Sequence, residues 1–446
     1  MRLLHFLVLL LGLAATQAMA WGNHTLASYR AFERMPEVAN ASSVTAEPLE
    51  AFLRAEENTI EALLASQEAW ALANLESYPE QPVELAFHAD PARTDEARRQ
   101  AFLMALRVAP NSRFALYIQP DPRNPVGGAN LPNSVVNTLA ELPGPAHRFL
   151  ALKPGEQVSA LAVLATATDE PDYGLDVYLW EDSPSTWGKL YGFGAQPFGN
   201  PAIAYASQAP FHMAFLHENR LVYLAAPFVK RSFVLLRSQQ YTTLSALAFR
   251  TGHAYWGWRF AGLSLHYLQN LTQPYHASLA PDHSSLRLLG AQTLAKTGLY
   301  GMRNELLVLR ANRRMVLQKL QTELLLRDAA NRQEGAMEKA LHNIERDKSY
   351  PDWSDRYLRE VVSLQACNAA APLAQTLVAA MPAALVSDPG LDFGARDTAI
   401  SLLGELGRSD NPEHARLESA IAELMLNLGA HSRNALRGIL RAGDPQ

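Results

Sequence analysis

Apolar residues recur at helical spacing along most of this chain, and short proline-, glycine- and asparagine-rich stretches interrupt them. Leu49, Phe52, Leu53, Ile60, Leu63 and Leu64 make one apolar stripe, with Pro48 suited to the first turn, so a helix is expected over 48–70. A second is expected over 95–108, and 111–131 reads as a loop. The Ala-, Leu- and Val-rich run 158–168 fits helix or strand equally well. One or two long helices are predicted over 241–270, with Leu244, Leu247 and Ala248 toward the core and Gly252, Gly257 and Gly262 allowing neighbours to approach closely. From Leu288 the helical rhythm runs nearly to the end, broken near Pro351, Pro389 and Pro412. The fold class this pattern predicts is mainly all-α.

The first twenty residues follow another pattern. Arg2 precedes a short apolar run from Leu3 to Ala15, and Ala18-Met19-Ala20 has the small residues of a cleavage site. This reads as a signal peptide over 1–20, with Trp21 as the mature N-terminus of an exported protein, periplasmic or secreted. No later run is read as long enough to cross a bilayer; the nearest, 370–386, contains Pro372 and Pro382. Net charge is −5, which argues against a dedicated nucleic-acid backbone binder. Cys367 is the only cysteine, so no disulfide forms within the chain, and any zinc must be held by histidine, oxygen ligands or the N-terminus.

Candidate chemistry is concentrated in 262–276, Gly-Leu-Ser-Leu-His-Tyr-Leu-Gln-Asn-Leu-Thr-Gln-Pro-Tyr-His. His266 and Asn270 lie one helical turn apart on one face, Pro274 ends or kinks the helix, and His276 falls just past the break. Two imidazoles and an amide oxygen converging in this way suit a divalent transition metal. The plainer reading is a core histidine followed by a proline turn. Signal cleavage would add a ligand, because a free α-amino group titrates near neutrality and Trp21 could chelate through its amine and carbonyl oxygen. The aromatic cluster around His253, Tyr255, Trp256 and Trp258 reads first as core and second as a membrane-facing patch; His253 is left out of the site.

The phrase GLSLHYL…QPxH resembles the zinc-dependent phospholipase C and S1/P1 nuclease superfamily, whose pattern is His-x3-Asp-x5-His. The spacing is kept, but Asn270 stands where that family has aspartate. The resemblance implies a multi-helix core with loop-rich insertions over 21–350 and a C-terminal helical extension over 351–446 packed on it. It implies that Trp21 and His24 share a cation with the His266/Asn270/His276 set. It also implies an upstream aspartate from the acidic loop 169–176, with Asp172 preferred to Asp169 as ligand or general base. A histidine before the main helix, His212 or His217, would complete the set. Further downstream the family needs a histidine and a glutamate one turn apart, where this chain has Arg314 and Gln318; His283 is a substitute, and His414 with Glu418 has the spacing but lies far away. One or two zinc ions are therefore expected, rather than three.

The activity so implied is hydrolysis of a phospholipid or another phosphodiester by metal-activated water, with peripheral contact at a membrane surface. One alternative keeps the fold for binding after loss of catalysis, with Arg314 filling the space of a missing metal. The other, an S1/P1-type nuclease, is weaker because no basic cluster surrounds the motif.

Overall fold

A computed structural model describes residues 21–139, 148–331, 333–393, 400–408 and 410–444, so the expected signal peptide lies outside the described residues. Helix makes up 60% of the described residues and strand only 2%, which is an all-α fold. The only paired strands among the described residues are two-residue pieces: Val44–Thr45 with Gln157–Val158, and Tyr117–Ile118 with Leu150–Ala151.

Local chemistry accounts for where the helices differ from the periodic reading. The stretch 48–70 forms two helices, Leu49–Ala55 and Glu57–Asn74, because Glu56 leaves helical geometry at φ −111°. The helix expected over 95–108 is Asp95–Ala105; Thr94 caps its first turn, and Arg107 at φ 52° prevents continuation. The ambiguous run 158–168 is helix Ala160–Ala167, entered directly from the short strand Gln157–Val158.

The expected long helix is a pair, Val234–Arg250 and Ala254–Leu271, turned at Gly252 with φ 84°. The second is the central helix of the molecule: every residue from Tyr255 to Leu271 is buried. Its one arginine, Arg259, pairs inside the core with Glu170. The His253–Phe260 cluster faces the core, with Trp256 and Phe260 at 0% exposure, and so presents no aromatic surface to a membrane. A Cβ on Gly262 would come within 2.4 Å of the Leu164 carbonyl oxygen, so glycine here lets Ala160–Ala167 lie against the central helix. That contact brings the segment following Ala167 level with His266.

The C-terminal helix Glu413–Gly443 packs on the central helix, on the first helix His24–Phe32 and on Leu364–Ala380. Residues on both sides of position 350 share one apolar cluster, with Trp21 and Trp256 in the same core as Leu373 and Leu424. The run Leu358–Ala380 is one helical stretch that has a membrane span's length and apolar composition, despite Pro372. Here it is a packing helix, with Ala366, Ala370, Leu373, Ala374 and Leu377 buried.

Candidate metal centre

The central helix places His266 and Asn270 on one face near its C-terminal end. Gln273 then turns extended, its side-chain oxygen accepts from the Tyr275 amide at 2.6 Å, and the short helix Pro274–Ala277 brings His276 back to that face. Trp21 is fully buried, and its indole Nε1 donates to the Gln269 carbonyl at 3.0 Å and to Thr272 Oγ1 at 3.1 Å. This anchor holds the start of helix His24–Phe32 against the end of the central helix. The His24 amide donates to Asp169 Oδ1 at 2.8 Å. Asp172 comes from the 3-10 turn Glu170–Tyr173, and His212 ends the short helix Ala209–His212.

Outer partners face each ring. His266 Nδ1 lies 2.7 Å from the Thr168 carbonyl oxygen, and His276 Nδ1 lies 2.8 Å from that of His212. His24 Nδ1 lies 2.7 Å from Gln269 Oε1, whose amide nitrogen is already committed to Ser28 and Ser432. His212 Nε2 faces Asp176 Oδ2 at 3.4 Å, and Asp176 is held by Arg237 and Tyr267, each at 2.7 Å. The first three of these oxygens can only accept, so the ring nitrogen facing each carries the proton and the opposite nitrogen presents a lone pair; His212 Nε2 makes no hydrogen bond, and its Nδ1 accepts from Asn270. The four inner nitrogens are His24 Nε2, His212 Nδ1, His266 Nε2 and His276 Nε2.

Three of the inner ligand atoms form a tight triangle. His266 Nε2 is 3.2 Å from His212 Nδ1, and Asp172 Oδ1 is 3.7 Å and 3.6 Å from those two nitrogens. A tetrahedron with metal–ligand bonds of about 2.0–2.1 Å has edges of roughly 3.3–3.4 Å, so the triangle has the dimensions of one zinc-sized face. His24 forms a second group with two of the same residues: ligand atoms of His24, Asp172 and His266 all lie within 4.8 Å of one another. Asn270 Nδ2 sits 2.9 Å from His266 Nε2 and 3.1 Å from His212 Nδ1, donating to both lone pairs. Its Oδ1, with His24 Nε2, His212 Nε2, His276 Nε2 and Asp172 Oδ2, has no hydrogen-bond partner among the described residues. A half-turn of the amide would exchange donor for oxygen ligand.

The electrostatics favour a cation. Burial, reinforced by the charges of Asp169 and Asp176, drives the Asp172 carboxyl well above the ordinary range. Burial pushes His24, His266 and His276 down, keeping the imidazoles neutral. Burial alone would raise Asp176, but Arg237 and His212 hold it below its usual value. Ionised, Asp172 would be a buried carboxylate among neutral imidazoles without a positive partner, and a divalent ion would provide one.

No family model, curated protein or solved structure matches this chain. The geometry therefore rests on its own residues.

Trp21, His24, Asp172, His212, His266, Asn270 and His276 are brought together; His217 is not. The chain runs extended from Met213, and His217 Nε2 bonds instead to the Arg359 carbonyl at 2.7 Å and Ser363 Oγ at 2.9 Å. Asp169 supports the N-terminal helix rather than offering an open oxygen: its Oδ2 accepts from Gln119 at 3.2 Å. His283 lies beside the Asp282–Arg313 ion pair, and His414 bonds the Ala380 carbonyl at 3.1 Å. Arg314 and Gln318 are buried on helix Gly301–Ala330. The Arg314 guanidinium is pushed down to about 9 by burial and by Arg310, and its charge helps depress His276. Gln269, Thr168, Asp176 and Arg237 were not expected as members; they orient the rings from outside.

Proposed function

We propose that this chain is an exported metal-dependent phosphodiester hydrolase of the phospholipase C type, built around one zinc-like ion. The observation that carries this reading is the triangle of Asp172 Oδ1, His212 Nδ1 and His266 Nε2, with edges of 3.2, 3.6 and 3.7 Å. His24 Nε2 is placed to complete the ligand set, and Asn270 Oδ1 could join it by rotation of the amide. A divalent cation held there supplies Lewis acidity: it makes water more acidic and draws charge from a phosphoryl oxygen. Asp172 Oδ2, with no other partner, is the atom to take the proton from attacking water. Gln269 and Thr168 keep their rings in the ligating tautomer, and Asp176 faces His212 Nε2. Arg314, whose charge acts on His276, supplies fixed positive charge for a phosphate oxygen. Cleavage after Ala20 would place the Trp21 amine three residues before His24, on a segment pinned by its indole.

One set of observations favours a second reading, a closed site without catalysis. His24, Asp172, His212, His266, Asn270 and His276 are each no more than 2% exposed, and Asn270 already satisfies two imidazoles. A cleft of about 730 Å³ opens elsewhere, beside Arg30, Arg123 and His342. Metal analysis of the mature protein, paired with hydrolysis assays on phosphatidylcholine and single-stranded DNA, separates the readings. About one zinc per chain with phosphatidylcholine hydrolysis supports the first. Zinc without hydrolysis selects the closed site, DNA cleavage alone selects a nuclease, and no zinc with no hydrolysis after zinc addition ends the proposal.

A further inference from the structure

Fourteen large apolar side chains are exposed among the described residues, and eight of them fall within 221–228 and 286–307. These stretches are neighbours in space. Helix Arg220–Ala225 packs on helix Ser285–Lys296 and on the turn Pro227–Lys230, and the Asn219 side chain bonds Ser285.

Helix Ser285–Lys296 has its apolar residues the wrong way round for a soluble surface. The only two residues it buries are Ala291 and Ala295, while Leu286 is 70% and Leu294 38% exposed. On the adjoining helix Leu224 is 69% and Leu221 41% exposed; Phe228 at 40% and Leu299 at 63% extend the patch. Scattered surface leucines are ordinary, but exposed leucines gathered on packed neighbouring elements mark a candidate interaction surface.

Charge identifies the partner. Segments 219–231 and 284–304 carry six Arg and Lys and no Asp or Glu, on a chain whose net charge is −5. Lys230 is tied to Glu76 at 3.0 Å, while Arg220, Arg287 and Lys296 stand exposed around the leucines. Leucines among an excess of cations, with only Glu76 and Glu305 as exposed acids beside them, match the interface of an anionic bilayer: the apolar tips enter the acyl boundary and the cations meet the headgroups.

We infer that the face formed by helices Arg220–Ala225 and Ser285–Lys296 is a docking surface for an anionic lipid bilayer. This names a surface for the membrane contact that the hydrolase reading implies, and the observations that carry it are independent of the metal centre. The face is nevertheless near the candidate centre. His212 is eight residues before Arg220 and His276 nine before Ser285, so even a fully extended link spans at most roughly 30 Å. The two links are joined on the way, the Ala214 amide donating to the His276 carbonyl at 3.0 Å.

Vesicle co-sedimentation of the full mature chain tests the inference. Partition onto phosphatidylglycerol/phosphatidylcholine vesicles should exceed that onto pure phosphatidylcholine by at least about tenfold and weaken at high salt. Joint substitution of Leu224→Asp and Leu286→Asp, both at exposed positions, should lower partition at least about tenfold with unchanged circular dichroism. Joint substitution of Arg287→Glu and Lys296→Glu should remove the preference for anionic vesicles. Chelator treatment should change nothing, so failure of the metal reading would leave this inference standing. It is overturned if the native chain ignores anionic vesicles, or if the double aspartate variant partitions as well as the native chain. A dimer dissolved by those aspartates, without vesicle binding, would overturn it too and assign the face to self-association.

Discussion

Two regions of this molecule reverse the usual placement of side chains, in opposite senses. Around His266, polar and charged groups are sealed in the core; on the face carrying Leu224 and Leu286, large apolar groups stand in solvent. Each arrangement carries a cost that packing alone does not explain. The two also differ in what completes them. The centre has donor atoms that could hold a small cation, whereas the face, on the inference above, would be covered by an extended surface. A third buried site sharpens the point. His431 has both ring nitrogens satisfied, by Tyr357 Oη at 2.9 Å and Gln365 Oε1 at 2.7 Å, as a structural histidine should. His24 and His276 each keep one bare nitrogen.

The largest expected effect comes from breaking the support of the centre. Arg237 is fully buried, holds Asp176 at 2.7 Å and bonds the Leu106 and Arg107 carbonyls. Arg237→Met leaves the Asp176 carboxylate buried without its cation, which should cost about 3–5 kcal/mol in denaturant unfolding. A loss under about 1 kcal/mol would mean that Asp176 is not charged in the fold and does not orient His212.

Next in size is the metal itself. Zinc at one hundred times its dissociation constant should stabilise the native chain by about 2.7 kcal/mol. Asp176→Asn should weaken zinc binding about 10–100-fold, because His212 loses the carboxylate that faces its Nε2. Asp172→Asn tests the sign of the electrostatics. The folded Asp172 pKa is raised, so its contribution is fully present below the unfolded pKa and is lost as pH rises through the folded value. Asp172 is therefore destabilising in the metal-free native protein at neutral pH. Asp172→Asn should raise the metal-free Tm there while abolishing stabilisation by zinc. Equal stabilisation of both proteins by zinc would remove Asp172 from the ligand set.

His431 supplies the contrast within the same core. Its pKa is lowered to about 3, chiefly by burial and then by Arg346. The unfolded ring protonates below its ordinary value while the folded ring does not, so stability falls as pH drops from the unfolded pKa toward about 3. This single group should contribute a slope of about 1.4 kcal/mol per pH unit in that window. His431→Gln should flatten the acid limb of a stability–pH profile by that amount, and zinc should not restore it. An unchanged limb would show that His431 is not held neutral.

Sequence spacing made parts of the centre legible. His266, Asn270 and His276 could be read because one helical turn and one proline set their relation. Asp172 is preferred to Asp169 within the acidic loop only through the family resemblance, and His212 stands level with His217 in the sequence, because a 3-10 turn and an extended link decide which side chain faces inward. Gln269, Thr168 and Asp176 were not legible as ring partners, since their acceptor atoms come from segments distant in sequence or from the backbone itself. The helical class followed from periodicity, but the break at Glu56 and the two-residue strands carry no periodic signal. The helix from Ser285 shows the same limit differently: its leucines surround the axis, so only tertiary packing reveals that the alanines are the buried side.

That inversion leads to the smallest expected effect on stability. In an ordinary core-facing helix, Leu286→Gln would remove buried apolar area and cost kilocalories. Here Leu286 is 70% exposed and touches mainly solvent, so Leu286→Gln should change unfolding stability by no more than about 0.5 kcal/mol. Ala291→Gln on the same helix pushes a long polar side chain into the buried seam and should cost about 1–3 kcal/mol. The ratio of the two effects is therefore the measurement. If Leu286→Gln proves the costlier change, the helix packs by its leucines, and the contrast between a sealed polar centre and an open apolar face disappears.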